Sequence, residues 1–117
     1  MSMETDLIAT LTALCPRVYP DVAPAGTTAP FVVWQALGGE PINALDNAPA
    51  DKRNTYLQIS VWGQGRMSPT TLIRQIEDAL RGSAAFVATP MGEALSTYEP
   101  DTQLYGSIQR FSIWAAR

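Results

Sequence analysis

Residues 53–62 alternate too regularly for a helix. Thr55, Leu57, Ile59 and Val61 fall on one side of the chain, and Tyr56, Gln58, Ser60 and Trp62 on the other. That is the period-two pattern of a strand with one face in a core. Residues 105–115 predict a second such strand, with Phe111, Ile113 and Ala115 set against Arg110, Ser112 and Trp114. Ser60-Val61-Trp62 and Ser112-Ile113-Trp114 echo one another, but nothing around them repeats. They read as two strands of one amphipathic sheet and not as a duplication. Phe31–Leu37 is a third strand. Phe31, Val33, Gln35 and Leu37 share one face and Val32, Trp34 and Ala36 the other; both are largely apolar, as in a strand covered on both sides or lying at an interface.

A sheet with one apolar face needs a second layer, and two segments supply it. Leu72, Ile73, Ile76, Ala79 and Leu80 recur at helical spacing, with Ser68 as the expected N-cap, Pro69 in the first turn and Gly82 just past the end. Glu4–Cys15 predicts the other helix, its apolar face made by Leu7, Ile8, Leu11, Leu14 and Cys15 and continued by Val18. Glu4 and Asp6 suit the positive end of its dipole, and Pro16 ends it. Residues 84–89 and 95–99 predict two short strands around a turn at Pro90-Met91-Gly92. The expected fold is α+β, a two-layer sandwich of a mostly antiparallel sheet and two amphipathic helices in the order α-β-β-α-β-β. One domain spanning residues 1–117 is expected, since single domains commonly run about 100–150 residues.

The connections are unequal. Residues 17–30 read as a semi-rigid loop, because Pro20, Pro24 and Pro30 fix φ around Gly26. Gly38–Lys52 is the outlier, a long connection between strands that a two-residue turn would join. It carries Pro41, Ile42, Leu45 and Pro49. A loop with apolar anchors and no place in the core reads either as a docking element or as a plain hairpin loop.

Composition narrows the chemistry. The chain has no His and one Cys. It therefore lacks a Ser-His or Cys-His pair, an imidazole base, a His-ligated metal and a disulfide framework. Cys15 lies on the apolar face of its helix and reads as a small core residue, not a reactive thiol. Eight basic residues stand against 11 acidic ones, for a net charge of −3. The basic residues are scattered, with only Lys52 and Arg53 adjacent, which argues against sequence-specific nucleic-acid binding. Charged residues make up 16% of the chain against an average of about 25%, as suits surfaces that partners cover. Met1 to Asp6 lacks the basic start of a secretory signal, and no run approaches a membrane span of about 20 residues. A cytoplasmic, non-membrane protein is expected.

Three further features carry little chemistry. Trp62-Gly63-Gln64-Gly65-Arg66-Met67-Ser68 is half of a dinucleotide fingerprint, but Ser68 stands at the third glycine position. Its glycines read as ending a strand and turning the chain. Glu77 and Asp78 are adjacent on a helix, do not face each other and read as solvated. Glu40, Asp46 and Asp51 share the long loop at a spacing that matches no calcium loop. No cofactor or metal is expected. A small-molecule-binding or enzymatic α+β domain using these loop carboxylates is the alternative reading.

Seven stretches, taken in order, resemble a known family. They are Val18-Tyr19-Pro20-Asp21, Pro30-Phe31-Val32-Val33-Trp34-Gln35, Gly39-Glu40-Pro41 leading to Leu45-Asp46, and Gln58-Ile59-Ser60-Val61-Trp62. Ile76-Glu77-Asp78-Ala79-Leu80, Tyr98-Glu99-Pro100-Asp101 with Leu104-Tyr105, and Phe111-Ser112-Ile113-Trp114 complete the set. Along nearly its whole length the chain resembles the tail-completion family of long-tailed bacteriophages and prophages. None of the stretches is a catalytic signature. The resemblance implies a structural protein of virion assembly and not an enzyme: a tail terminator or head-tail joining protein that sits on the tail as a hexameric ring. Its implied partners are further copies of itself, the tail tube protein and a head connector or neck protein. The implied setting is the bacterial cytoplasm during assembly and then the virion tail or neck. A neck or connector protein adjacent to the terminator is the near alternative.

A ring of identical subunits needs two different patches on each subunit. The expected pair is the long loop, with Glu40, Asp46, Lys52 and Arg53, against a neighbour's sheet face or edge near Tyr56, Trp62, Arg110 and Trp114. Ordinary packing under a loop is the other reading of those aromatic residues.

Overall fold

The computed structural model describes residues 3–41 and 51–116. Its elements are α1 (Met3–Leu14), β1 (Val18–Pro20), β2 (Phe31–Ala36), β3 (Lys52–Gly63), α2 (Met67–Arg81), β4 (Val87–Pro90), β5 (Leu95–Glu99) and β6 (Leu104–Ala116). The two strictly alternating segments are the longest strands, β3 and β6. They pair antiparallel from Lys52 opposite Ala116 to Gly63 opposite Tyr105. β2 adds antiparallel to β3, and β1 joins β2 in parallel. The strand order is β1-β2-β3-β6-β4, with β5 also on β6.

The α+β class and the mostly antiparallel sheet are as the sequence predicts, while the order lengthens to α-β-β-β-α-β-β-β. β1 lies inside the expected loop at 17–30. Its three residues are too few for a period to show. β4 and β5 do not pair with each other. β4 lies along Phe111–Trp114 and β5 along Leu104–Ile108, end to end on one edge of β6. Residues 91–94 bulge out opposite Gln109 and Arg110, and the Met91 N–H donates to Arg110 O at 2.8 Å.

The apolar face of the sheet carries Val32, Trp34, Leu57, Ile59, Val61, Ala88, Phe111 and Ile113, all buried against the helices. α2 brings Leu72, Ile73, Ile76 and Leu80, also buried. Each such side chain contributes about 1.5–3 kcal/mol by leaving water. α2 begins at Met67 with Arg66 as N-cap and no side-chain capping bond, so Ser68 lies inside the first turn and does not cap. Pro69 is buried against Gly63, where an added Cβ would meet Pro69 Cδ at 2.9 Å. The first glycine of the Gly-Gln-Gly stretch thus lets the helix start close to the strand end. Gly82 closes α2 in right-handed geometry, its N–H donating to Asp78 O at 3.1 Å.

The buried stripe of α1 is narrower than expected. Leu7, Leu11 and Cys15, one turn apart, are buried, whereas Ile8 is 40% and Leu14 37% exposed. The helix has its neighbours on one narrow side, α2 and β1. The Cys15 sulfur sits 3.6 Å from Pro30 O, a buried thiol as read from the sequence. Glu77 departs from expectation: it is not merely solvated but accepts a 2.6 Å hydrogen bond from Nε2 of buried Gln109, which also donates to Gly92 O at 2.9 Å. Arg81 stands 3.8 Å from the same carboxylate. No helix among the described residues is long and apolar enough to cross a membrane.

Candidate functional site

The strand register gathers half of the predicted interface residues on the sheet face away from the helices. Tyr56 pairs with Ser112, Gln58 with Arg110, Trp62 with Gly106 and Asn54 with Trp114. By alternation, these side chains share one face, joined from β2 by Phe31, Val33 and Gln35. The Trp62 ring lies on Gly106: a Cβ there would meet Trp62 Cζ3 at 2.8 Å and Thr97 Cγ2 at 3.0 Å. Arg110 Nε donates to Gln58 Oε1 at 3.2 Å, holding the guanidinium along the sheet.

At one end of this face the chain enters the long loop through a polar clasp. Leu37 N–H donates to Tyr56 O and Tyr56 N–H to Gly38 O, at 2.7 and 2.6 Å, so hairpin pairing continues beyond β2. The Glu40 N–H then donates to Asn54 Oδ1 at 2.8 Å, and the Tyr56 hydroxyl donates to Glu40 Oε1 at 2.7 Å. Asn54 Nδ2 in turn donates to Ser112 Oγ at 2.9 Å and Ile113 O at 3.3 Å. Gly39 allows this closeness, since a Cβ would run into the Asn54 carbonyl group, 2.8 Å from its carbon. The bond to the Glu40 carboxylate raises the Tyr56 hydroxyl above its ordinary value of 10.0, with burial and the carboxylate's charge adding to it.

The structure therefore joins Glu40 to Tyr56 but spreads the other predicted residues. Lys52 and Arg53 are exposed at the end of the β3–β6 ribbon and, being consecutive, point to opposite faces. Trp114 lies across from Asn54 near the clasp, and Trp62 stands six residues from Tyr56 along β3, about 20 Å away. Asp46 lies outside the described residues. Sequence alone singles out neither Asn54 nor Gly106, and Gly39 only as part of the stretch Gly39-Glu40-Pro41, since their roles depend on which residue stands opposite.

Two of the surface's hollows bear on these faces. One, of about 270 Å³, lies on the open face between Val22 and the row Val33, Ser60 and Trp62. The other is a mostly apolar groove of about 430 Å³ between the end of α1 and the start of α2, lined by Leu14, Cys15, Pro16, Pro30, Met67 and Leu72, with three polar side chains of α2 also on its wall. Among the described residues no group of three or more His, Cys, Asp or Glu could hold a metal ion.

The fold is similar to that of a chain in the virion of a native gene transfer agent particle, with a TM-score of 0.66 over 99% of this chain and 96% of that one, at 18% identity. No curated protein matches the chain by sequence. Residues 5–116 match the family described as "Tail completion protein gp17", and the chain belongs to that family of bacteriophage tail structural proteins.

Proposed function

We propose that this chain caps the tail tube as a ring of identical copies, a hexamer as the family resemblance implies, and joins tail to head. The observation that carries the reading is the match of residues 5–116 to the tail completion family. A sheet face left uncovered by either helix and a loop clasped at its base supply contact surfaces of the kind a ring requires. In this reading the loop end, with Glu40, Asp46, Lys52 and Arg53, meets a neighbour's sheet face at Tyr56, Trp62, Arg110 and Trp114. The chain acts as one domain, residues 1–117. Its partners are its own copies, the tail tube protein and a head connector or neck protein. It assembles in the bacterial cytoplasm and resides in the virion tail or neck. A net charge of −3 suits a lumen that passes DNA without holding it.

The test is electron microscopy of uncapped tail tubes incubated with the purified chain. A ring at one tube end, with elongation stopped, is the expected result. Tubes that stay bare and keep elongating at high protein concentration overturn the reading. A ring found on the head vertex and never on the tube assigns the chain to the neck instead.

A further inference from the structure

The loop base and the apolar groove stand at opposite ends of the molecule, and this separation decides what can fill the groove. Leu14 and Met67, 37% and 76% exposed, lie at its mouth, while Cys15 and Leu72 are buried at its floor. Pro16 and Pro30 border it. No described residue of the chain fills it. The sequence between Pro41 and Asp51 offers a matching occupant: it carries Ile42 and Leu45, with Asp46 its single charge.

The same chain's loop is too short to reach. Hydrogen bonding of Glu40 to Asn54 fixes Pro41 beside Asn54. Leu45 follows four residues later, so its Cα lies within about 14 Å of Pro41. The groove lies beyond Trp62, the partner of Phe31, next to Pro30. Asn54 and Trp62 are eight residues apart on β3, about 26 Å. Only another copy can bring the segment there. A contact between two different patches at opposite ends is heterologous, the type that closes into rings.

We propose that the groove between α1 and α2 receives residues 42–50 of a second copy of this chain, so that copies join loop end to groove end. The proposal rests on the ring reading above but seats residues 42–50 in the groove and not on the neighbour's sheet face named there.

The experiment pairs Leu45→Cys with Met67→Cys, on separate copies, in a Cys15→Ser background. The copies are mixed, assembled on tail tubes and oxidised. The expected product is a disulfide joining residue 45 of one copy to residue 67 of another, identified by peptide mass. Leu45→Cys mixed with Val87→Cys, an exposed position on the sheet, should give no link. Rings present without the 45–67 link overturn this inference and leave the ring reading standing. Wild-type chain that never caps tubes overturns the ring reading, and this inference with it.

Met67→Asp in the otherwise native chain gives a second readout that does not depend on Cys15. It should leave the monomer's thermal unfolding unchanged and abolish ring assembly. Undiminished rings overturn the proposal, as do rings that form but no longer seat on the tube.

Discussion

The indole of Trp62 lies on Gly106, its register partner across β3 and β6. The missing side chain at 106 is what makes room for the ring. A bare glycine in a strand weakens it, unless a neighbouring ring covers the gap. Gly106→Ala should therefore destabilise the protein by about 1–3 kcal/mol, the usual cost of overpacking. In a Trp62→Ala background the same change should be neutral or stabilising. Urea unfolding of the four proteins closes the cycle. An equal cost in both backgrounds would show that the ring is not what the new methyl meets.

The Tyr56–Glu40 bond gives a pH signature. Its raised hydroxyl value means the bond's contribution is fully present below the ordinary tyrosine value of 10.0 and is lost as pH rises through the higher folded value. Tyr56 should give a late phase, above 10.0, when tyrosinate absorbance is followed. Glu40→Ala should bring it back toward 10.0. Tyr56→Phe should remove the late phase altogether, which assigns it.

Gln109 ties α2 to the bulge between β4 and β5 through Glu77 and the Gly92 carbonyl. Gln109→Ala strands two acceptors at a site where Gln109 itself is 3% exposed. The expected loss is about 1–3 kcal/mol. Amide exchange should rise first at residues 91–95, because the bulge loses the Gln109 side-chain tether to its Gly92 carbonyl. Unchanged exchange there, with stability lost elsewhere, would contradict the tethering role.

α1 offers a paired test of its narrow stripe. Leu11→Ala should cost about 2–5 kcal/mol as a buried truncation. Ile8→Ala, on a residue 40% exposed, should stay within about 0.5 kcal/mol as an ordinary surface change. Thermal unfolding of both variants checks the difference. Comparable losses would place Ile8 in the core.

The apolar stripes were legible because they are local. Alternation from Thr55 to Trp62 and from Arg110 to Ala115, and the helical recurrence of Leu72, Ile73, Ile76 and Leu80, put each residue on the correct side of its own element. Of the predicted interface, Tyr56, Trp62, Arg110 and Trp114 share one face for the same reason. Spacing makes the α1 stripe wider than the part that packs, since it marks every residue that could face a neighbour. Which of them do depends on where the neighbours lie.

The sequence by itself determined the two amphipathic helices, the long amphipathic strands and, through the absence of histidine, the loss of imidazole chemistry. Each of these is a property of residues close together or simply counted. Only the tertiary structure decided that Val18–Pro20 joins β2, that β4 and β5 share one edge of β6, and that Glu77 serves Gln109. It alone set Gly106 beneath Trp62, Glu40 against Tyr56, and the loop base far from the apolar groove. The physical reason is register. A strand's alternation says which face a residue takes, but its partner is fixed by how distant segments slide against each other, and burial of the whole sheet selects that alignment.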